Sequence, residues 1–218
     1  MRDMRPVVET APIIEAVSVR MEQALDVAEK NPIAESRLGE LEEEISRHKK
    51  DFVEQGARSA EDEAREEEIL AEILRSSAVA ENIVEYKLML ESIARRHNLR
   101  DGWATHMLAH ENAHANVAIG TGHEFVGYAA IHMKDESGAL SSIQPLVFHK
   151  PDPTWGPVES LTKGIEVTKA PEAFENEMSD GDTASVAEDE EHLARAQQLE
   201  VQRQQRLSQI REELDAID

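Results

Sequence analysis

His110, Glu111 and His114 are the residues of this 218-residue chain whose types and spacing are best suited to chemistry. They stand in the run His106-Met107-Leu108-Ala109-His110-Glu111-Asn112-Ala113-His114. A helix repeats every 3.6 residues, so side chains four apart leave one face a turn apart, and both imidazoles reach a common ion. Glu111 then points beside that ion. This is the H-E-x-x-H arrangement: two neutral imidazoles bind Zn2+, one coordination position stays open to water, and the carboxylate takes that water's proton. The expected chemistry is hydrolysis of a peptide or protein substrate by metal-activated water, with Glu111 as the catalytic base.

A catalytic zinc of this kind needs a third protein ligand, and a chain without cysteine must take it from a carboxylate or another histidine. His123 follows His114 by nine residues. The longer H-E-x-x-H-x-x-G-x-x-H pattern would need glycine at Val117 and histidine at Gly120, so it does not fit. The downstream carboxylates are Glu159, Asp180, Asp182, Glu188 and Glu191. Asp182 is favoured, because Ser179-Asp180-Gly181-Asp182 is a turn opening onto a helix and presents its carboxylate rigidly. The competing use of Asp180 or Asp182 is to cap the first N–H groups of that helix. His106 could be a further ligand, but is expected behind the ligands or in solvent, and Trp103 as packing bulk.

Several helices must position these groups. The motif helix is expected from Asp101 as cap through Ala118, closed by Gly120 or Gly122. Before it, Ile13, Ile14, Val17, Met21, Leu25 and Ala28 predict a helix from Thr10, its cap, to Lys30. After Asn31-Pro32, the positions Leu38, Leu41, Ile45, His48 and Phe52 form a short heptad seam. Ser59 followed by Glu61, Asp62 and Glu63 predicts a further helix start, and Val79, Ile83, Tyr86, Leu90 and Ile93 predict a helix running toward His97. Beyond Gly122 two β-compatible runs around Asp135-Glu136-Ser137-Gly138 predict a hairpin; Pro145 places the second run at a sheet edge or splits it, and the hairpin serves either to hold an extended substrate or only to cover the motif helix. A short helix or extended piece is expected at Val158–Leu161, a strand near Ile165–Thr168, and a long polar helix from Ser179 nearly to the terminus. Its last turns carry Leu207, Ile210, Leu214 and Ile217 three and four apart and call for a partner helix, from this chain or from another copy in a homo-oligomer.

The expected fold is mostly α with a small β-hairpin, an α+β, zincin-like helical domain with helical extensions. Its divisions are an N-terminal helical extension over 1–58, a peptidase-like core over 59–183 and a C-terminal long helix over 184–218. Aromatic residues make up only 4% of the chain, so Leu, Ile, Val, Ala and Met must fill the core, which suits helix packing. A net charge of −22 repels phosphate backbones and anionic lipid, so neither nucleic acid nor membrane is an expected partner. No run of 18 apolar residues occurs, and Glu9 and Glu15 interrupt any signal-like core near the start, which predicts a cytoplasmic protein.

His110-Glu111-Asn112-Ala113-His114-Ala115, followed by Ala118 and Gly122, resembles the H-E-x-x-H-A, small residue, later glycine pattern of the FtsH-type peptidase domain and its soluble relatives. The resemblance implies a helical zinc peptidase unit with His110 and His114 as zinc ligands and Glu111 as base. It also implies an aspartate ligand on a later helix, for which Asp182 is the counterpart. The glycine usual before the second histidine is Ala113 here, and no G-x-x-x-x-G-K-[ST] sequence occurs, so no ATPase motor is implied. Site-2 intramembrane peptidases share the helix motif but need membrane spans that this sequence lacks. The alternative from a different class is a helical scaffold whose seams bind partner helices, with a metal site that is structural or absent.

Overall fold

The structure, a computed structural model, describes residues 11–173 and 177–215. These form eight helices and four strands: α1 (Ala11–Lys30), β1 (Ile33–Ala34), α2 (Glu35–Gln55), α3 (Ala60–Arg75), β2 (Ser77–Ala80), α4 (Ile83–Arg96), α5 (Trp103–Thr121), β3 (Glu124–Lys134), β4 (Leu140–Lys150), α6 (Pro157–Thr168), α7 (Ala170–Ala173) and α8 (Asp180–Asp215). The fold is mostly helical with one small mixed sheet, as expected. They gather into two units. One contains the described residues to Glu35, Glu72–Glu111 and Gly127–Phe148; the other contains Ser36–Ala71, Asn112–Val126 and the residues from His149 onward. The boundary between Glu111 and Asn112 falls inside the continuous helix α5.

In the first unit α1 and α4 pack together and close over β2. Met21, Leu25 and Ala28 put one buried stripe on α1, and Tyr86, Met89, Leu90 and Ile93 put another on α4, the last four with no exposed surface. Each large apolar side chain so buried contributes about 1.5–3 kcal/mol. Asn82 starts α4 by accepting hydrogen bonds from the backbone N–H groups of Val84 and Glu85, both at 3.1 Å. At the rim, Glu22 of α1 pairs with Arg95 and Arg96 of α4.

The sheet is organised on β3. β2 runs antiparallel to it, from Ser77 opposite Ile131 to Ala80 opposite Tyr128, and β1 runs parallel, with Ile33 opposite Met133 and Ala34 opposite Lys134. β4 also pairs with β3, and the turn between them is built around Asp135, whose carboxylate accepts from the N–H of Ser137 at 2.8 Å and of Ala139 at 3.2 Å. Gly138 supplies the positive φ, +84°, that this turn requires. The hairpin therefore lies where the sequence puts it, and among the described residues β4 has β3 as its partner and stands at an edge.

In the second unit α2 and α8 run in the same direction, held by Ser46 to Glu188, Lys49 to Asp189 at 2.8 Å and Arg195 to Glu54 at 2.8 and 3.1 Å. Val53 of α2, Leu161 of α6 and Ala196 of α8 form an apolar cluster, covered by Val158, Leu193 and Leu199. Gly56 ends α2 with φ +81°, and the guanidinium of Arg203 occupies the place a Cβ would take. α3 starts on Ser59, whose Oγ accepts from the N–H of Asp62 at 3.0 Å.

Two expectations are corrected. Val79 lies in strand β2, and the helix through Tyr86, Leu90 and Ile93 begins only after Asn82. Ile165–Thr168 is the last turn of α6, because Leu161 and Ile165, four apart, bury one helical face. The expected hairpin is present and is joined by β1 and β2 in a four-stranded sheet. Among Leu207, Ile210 and Leu214 none is covered, with 56%, 37% and 60% of their surface exposed. Thr10 as a cap and Ile217 lie outside the described residues.

Candidate metal centre

α5 runs from Trp103 to Thr121 and places His110 and His114 on one face, both buried, at 5% and 8% exposure. Ala113, Ala115 and Ala118 of the same helix are also buried. Nδ1 of His114 lies 2.8 Å from the carbonyl oxygen of Val167, in the last turn of α6. A carbonyl only accepts, so Nδ1 carries a proton, and in the neutral ring it is Nε2 that presents the lone pair. Fixing a ligand's tautomer from behind in this way is the usual support of a metal-binding histidine.

That lone pair faces α8. Ser179 and Asp182 close a reciprocal cap at its start: Ser179 Oγ accepts from the N–H of Asp182 at 3.0 Å, and Asp182 Oδ2 accepts from the N–H and Oγ–H of Ser179 at 3.0 and 2.8 Å. The other oxygen, Oδ1, lies 3.6 Å from Nε2 of His114. One donor atom each from His110, His114 and Asp182 falls within 4.8 Å of the others. The two uses weighed for Asp182, cap and ligand, thus employ different oxygens of one carboxylate.

The remaining candidates are paired elsewhere or exposed. Glu159 pairs with Lys163 at 2.9 Å, Glu188 bonds Ser46 and lies 3.5 Å from His192, and Asp180 and Glu191 are exposed. His106 is exposed, its ring 6.4 Å from that of His110. Trp103 is half-buried at the first turn of α5.

Glu111 is buried, at 6% exposure, in the first unit. Tyr86 and Tyr128 stack there with ring centroids 4.5 Å apart, and burial, then the charge of Glu111, pushes both hydroxyls above the usual tyrosine range. The carboxylate therefore stands in surroundings poor in water, where its charge acts at longer range than in solvent.

Sequence reasoning missed a group of rings in the second unit. His123 and His149 meet edge to face at 4.6 Å, and His123 meets Trp155 likewise at 4.9 Å. Lys163 lies 3.7 Å over the Trp155 ring. Thr121 Oγ1 donates to the carbonyl of Val117 at 2.8 Å, so it accepts from Nδ1–H of His123 at 2.9 Å. His123 is thereby engaged away from the ligand set. Burial, followed by the nearby His123 and His114, pushes His149 down to about 4. Nothing in the sequence marks His149, since only the length of β4 sets where it falls.

Compared with known proteins, the chain matches no family model, no curated protein and no solved structure. Among the described residues no helix is long and apolar enough to cross a membrane.

Proposed function

We propose that this chain is a zinc-dependent metallopeptidase that hydrolyses peptide bonds with water. The supporting observation is that Asp182, far from the H-E-x-x-H helix in sequence, brings its carboxylate to the two imidazoles, with donor atoms within 4.8 Å of one another. Two imidazoles and one carboxylate are a donor set that leaves a fourth tetrahedral position open, and the tautomer of His114 suits coordination through Nε2. The resemblance of His110-Glu111-Asn112-Ala113-His114-Ala115 to the FtsH-type peptidase domain supports the same assignment.

Zinc held by His110, His114 and Asp182 would supply Lewis acidity toward a substrate carbonyl and a water. Glu111 would be the general base that takes a proton from the attacking water and returns it to the leaving amine. His114 keeps its orientation through the Val167 carbonyl, and Asp182 keeps its own through Ser179. β4, an edge strand among the described residues, offers backbone groups to an extended peptide. A cytoplasmic location belongs to the same proposal.

The test is zinc content and proteolysis of an unfolded protein substrate by the purified chain. One zinc per chain, lost in His114→Ala and Asp182→Ala together with cleavage, is the expected result. A zinc-free protein that still cleaves overturns the mechanism, and a zinc-free protein without activity overturns the function. The exposed Leu207, Ile210 and Leu214 favour a second reading, a helical scaffold with a structural metal. It differs in keeping zinc without turnover.

A further inference from the structure

Residues Leu193, Ala196, Glu200, Arg203, Leu207, Ile210 and Leu214 of α8 are spaced three and four apart without interruption, so they lie on one seam. Its first part is covered: Leu193 and Ala196 join Val53 and Leu161, and Arg203 Nη2 donates to the carbonyl of Glu54 at 2.8 Å. α2 stops at Gln55, whereas α8 continues to Asp215, and every residue from Val201 to Asp215 is exposed. The apolar seam thus runs on past the helix that covers it. A lone helix of fewer than about 12–15 residues is marginal in water, so this stretch gains most from a neighbour.

The charges say which neighbour. Val201–Asp215 carries Arg203, Arg206 and Arg211 against Glu212, Glu213 and Asp215, a balanced set in a chain of net charge −22. With Leu207 and Leu214 as one kind of seam position and Ile210 as the other, Arg206 and Glu213 flank the seam on one side and Arg211 on the other. A parallel, in-register pair of such helices sets each flanking residue against the opposite flank of the other copy five residues on, which places Arg206 against Arg211. An antiparallel pair sets like flanks together. Arg206, which lies 3.9 Å from Glu213 of its own helix, then also faces Glu213 of the second copy, twice by symmetry, and Leu207 faces Ile210.

We propose that the Val201–Asp215 segment pairs antiparallel with the same segment of a second copy of this chain. The site on α5 plays no part in the pairing, so it stands or falls apart from the peptidase assignment.

Sedimentation equilibrium of the full chain tests it. The wild-type mass rises with concentration from 24.4 kDa toward twice that value, and Leu207→Ser with Leu214→Ser holds it at 24.4 kDa. Arg206→Glu alone and Glu213→Arg alone each weaken association by about tenfold, and the two together restore it. These side chains are exposed, and far-UV circular dichroism checks that helix content is kept. A wild-type chain that stays at 24.4 kDa throughout overturns the proposal, as does tighter association of Arg206→Glu, which is the signature of a parallel pair.

Discussion

Asp182 turns one carboxylate oxygen to Nε2 of His114 at 3.6 Å while Ser179 holds the other. The cap is thus also the mount of the proposed zinc ligand. Ser179→Ala removes one cap, worth about 1 kcal/mol of stability, and leaves the carboxylate free to rotate. Zinc affinity is expected to fall roughly 10- to 100-fold, the usual effect of losing an outer-shell partner. Competition with a chromophoric chelator measures this, and Ser179→Thr, which keeps the hydroxyl, restores most of it.

Glu111→Gln separates binding from turnover. The amide is isosteric and Glu111 is outside the ligand set, so zinc content stays at the wild-type value. Cleavage falls by about 10²- to 10⁴-fold, the range of general-base contributions. Full activity in this variant would remove Glu111 from its assigned role.

Two buried histidines give stability a pH dependence of known sign. Burial is the largest influence holding His132, with no exposed surface, below the ordinary histidine value, and it also pushes His149 down to about 4. Below pH about 6.5 the unfolded chain takes up protons that these folded imidazoles refuse, so the contribution is complete above that pH and is lost as pH falls, for His149 toward about 4. Urea midpoints of metal-free protein at about pH 7.5 and about pH 5 are expected to differ more in the wild type than in His132→Gln with His149→Gln.

Two glycines of the α2 region respond oppositely to alanine. Gly56 has φ +81° and the Arg203 guanidinium where a Cβ belongs, so Gly56→Ala costs about 1–3 kcal/mol. Gly39 lies inside α2 with nothing within 4 Å of the added methyl, and Gly39→Ala gains about 0.5–1 kcal/mol. Thermal melts of the two variants read both signs.

What the sequence reveals depends on how local the cause is. The face shared by His110 and His114 follows from one turn of helix, and the rigidity of the Ser179–Asp182 turn shows in its residue types. The Val167 carbonyl behind His114 shows in neither, since backbone atoms carry no sequence signal. β2 escapes because Ser77–Ala80 is four residues long, and its alternating burial is too brief to stand against the helical spacing of Val79, Ile83 and Tyr86. Ile165, Val167 and Thr168 are β-branched and suggest a strand, but burial of Leu161 and Ile165 on one helical face prevails over that propensity. Two-residue β1 has no pattern to read.

The sheet also sets a timetable for the nascent chain. Ile33 and Ala34 cannot find their register until Met133 and Lys134 have been made, about a hundred residues and some 5–20 s later at ordinary elongation rates. For the first part of that interval the apolar stripe of Met21, Leu25 and Ala28 has no partner at all, and once α4 (Ile83–Arg96) is made it has that helix but no finished sheet beneath it. Such long-range closure slows folding, and it leaves the apolar face of α1 exposed for as long as the sheet is incomplete.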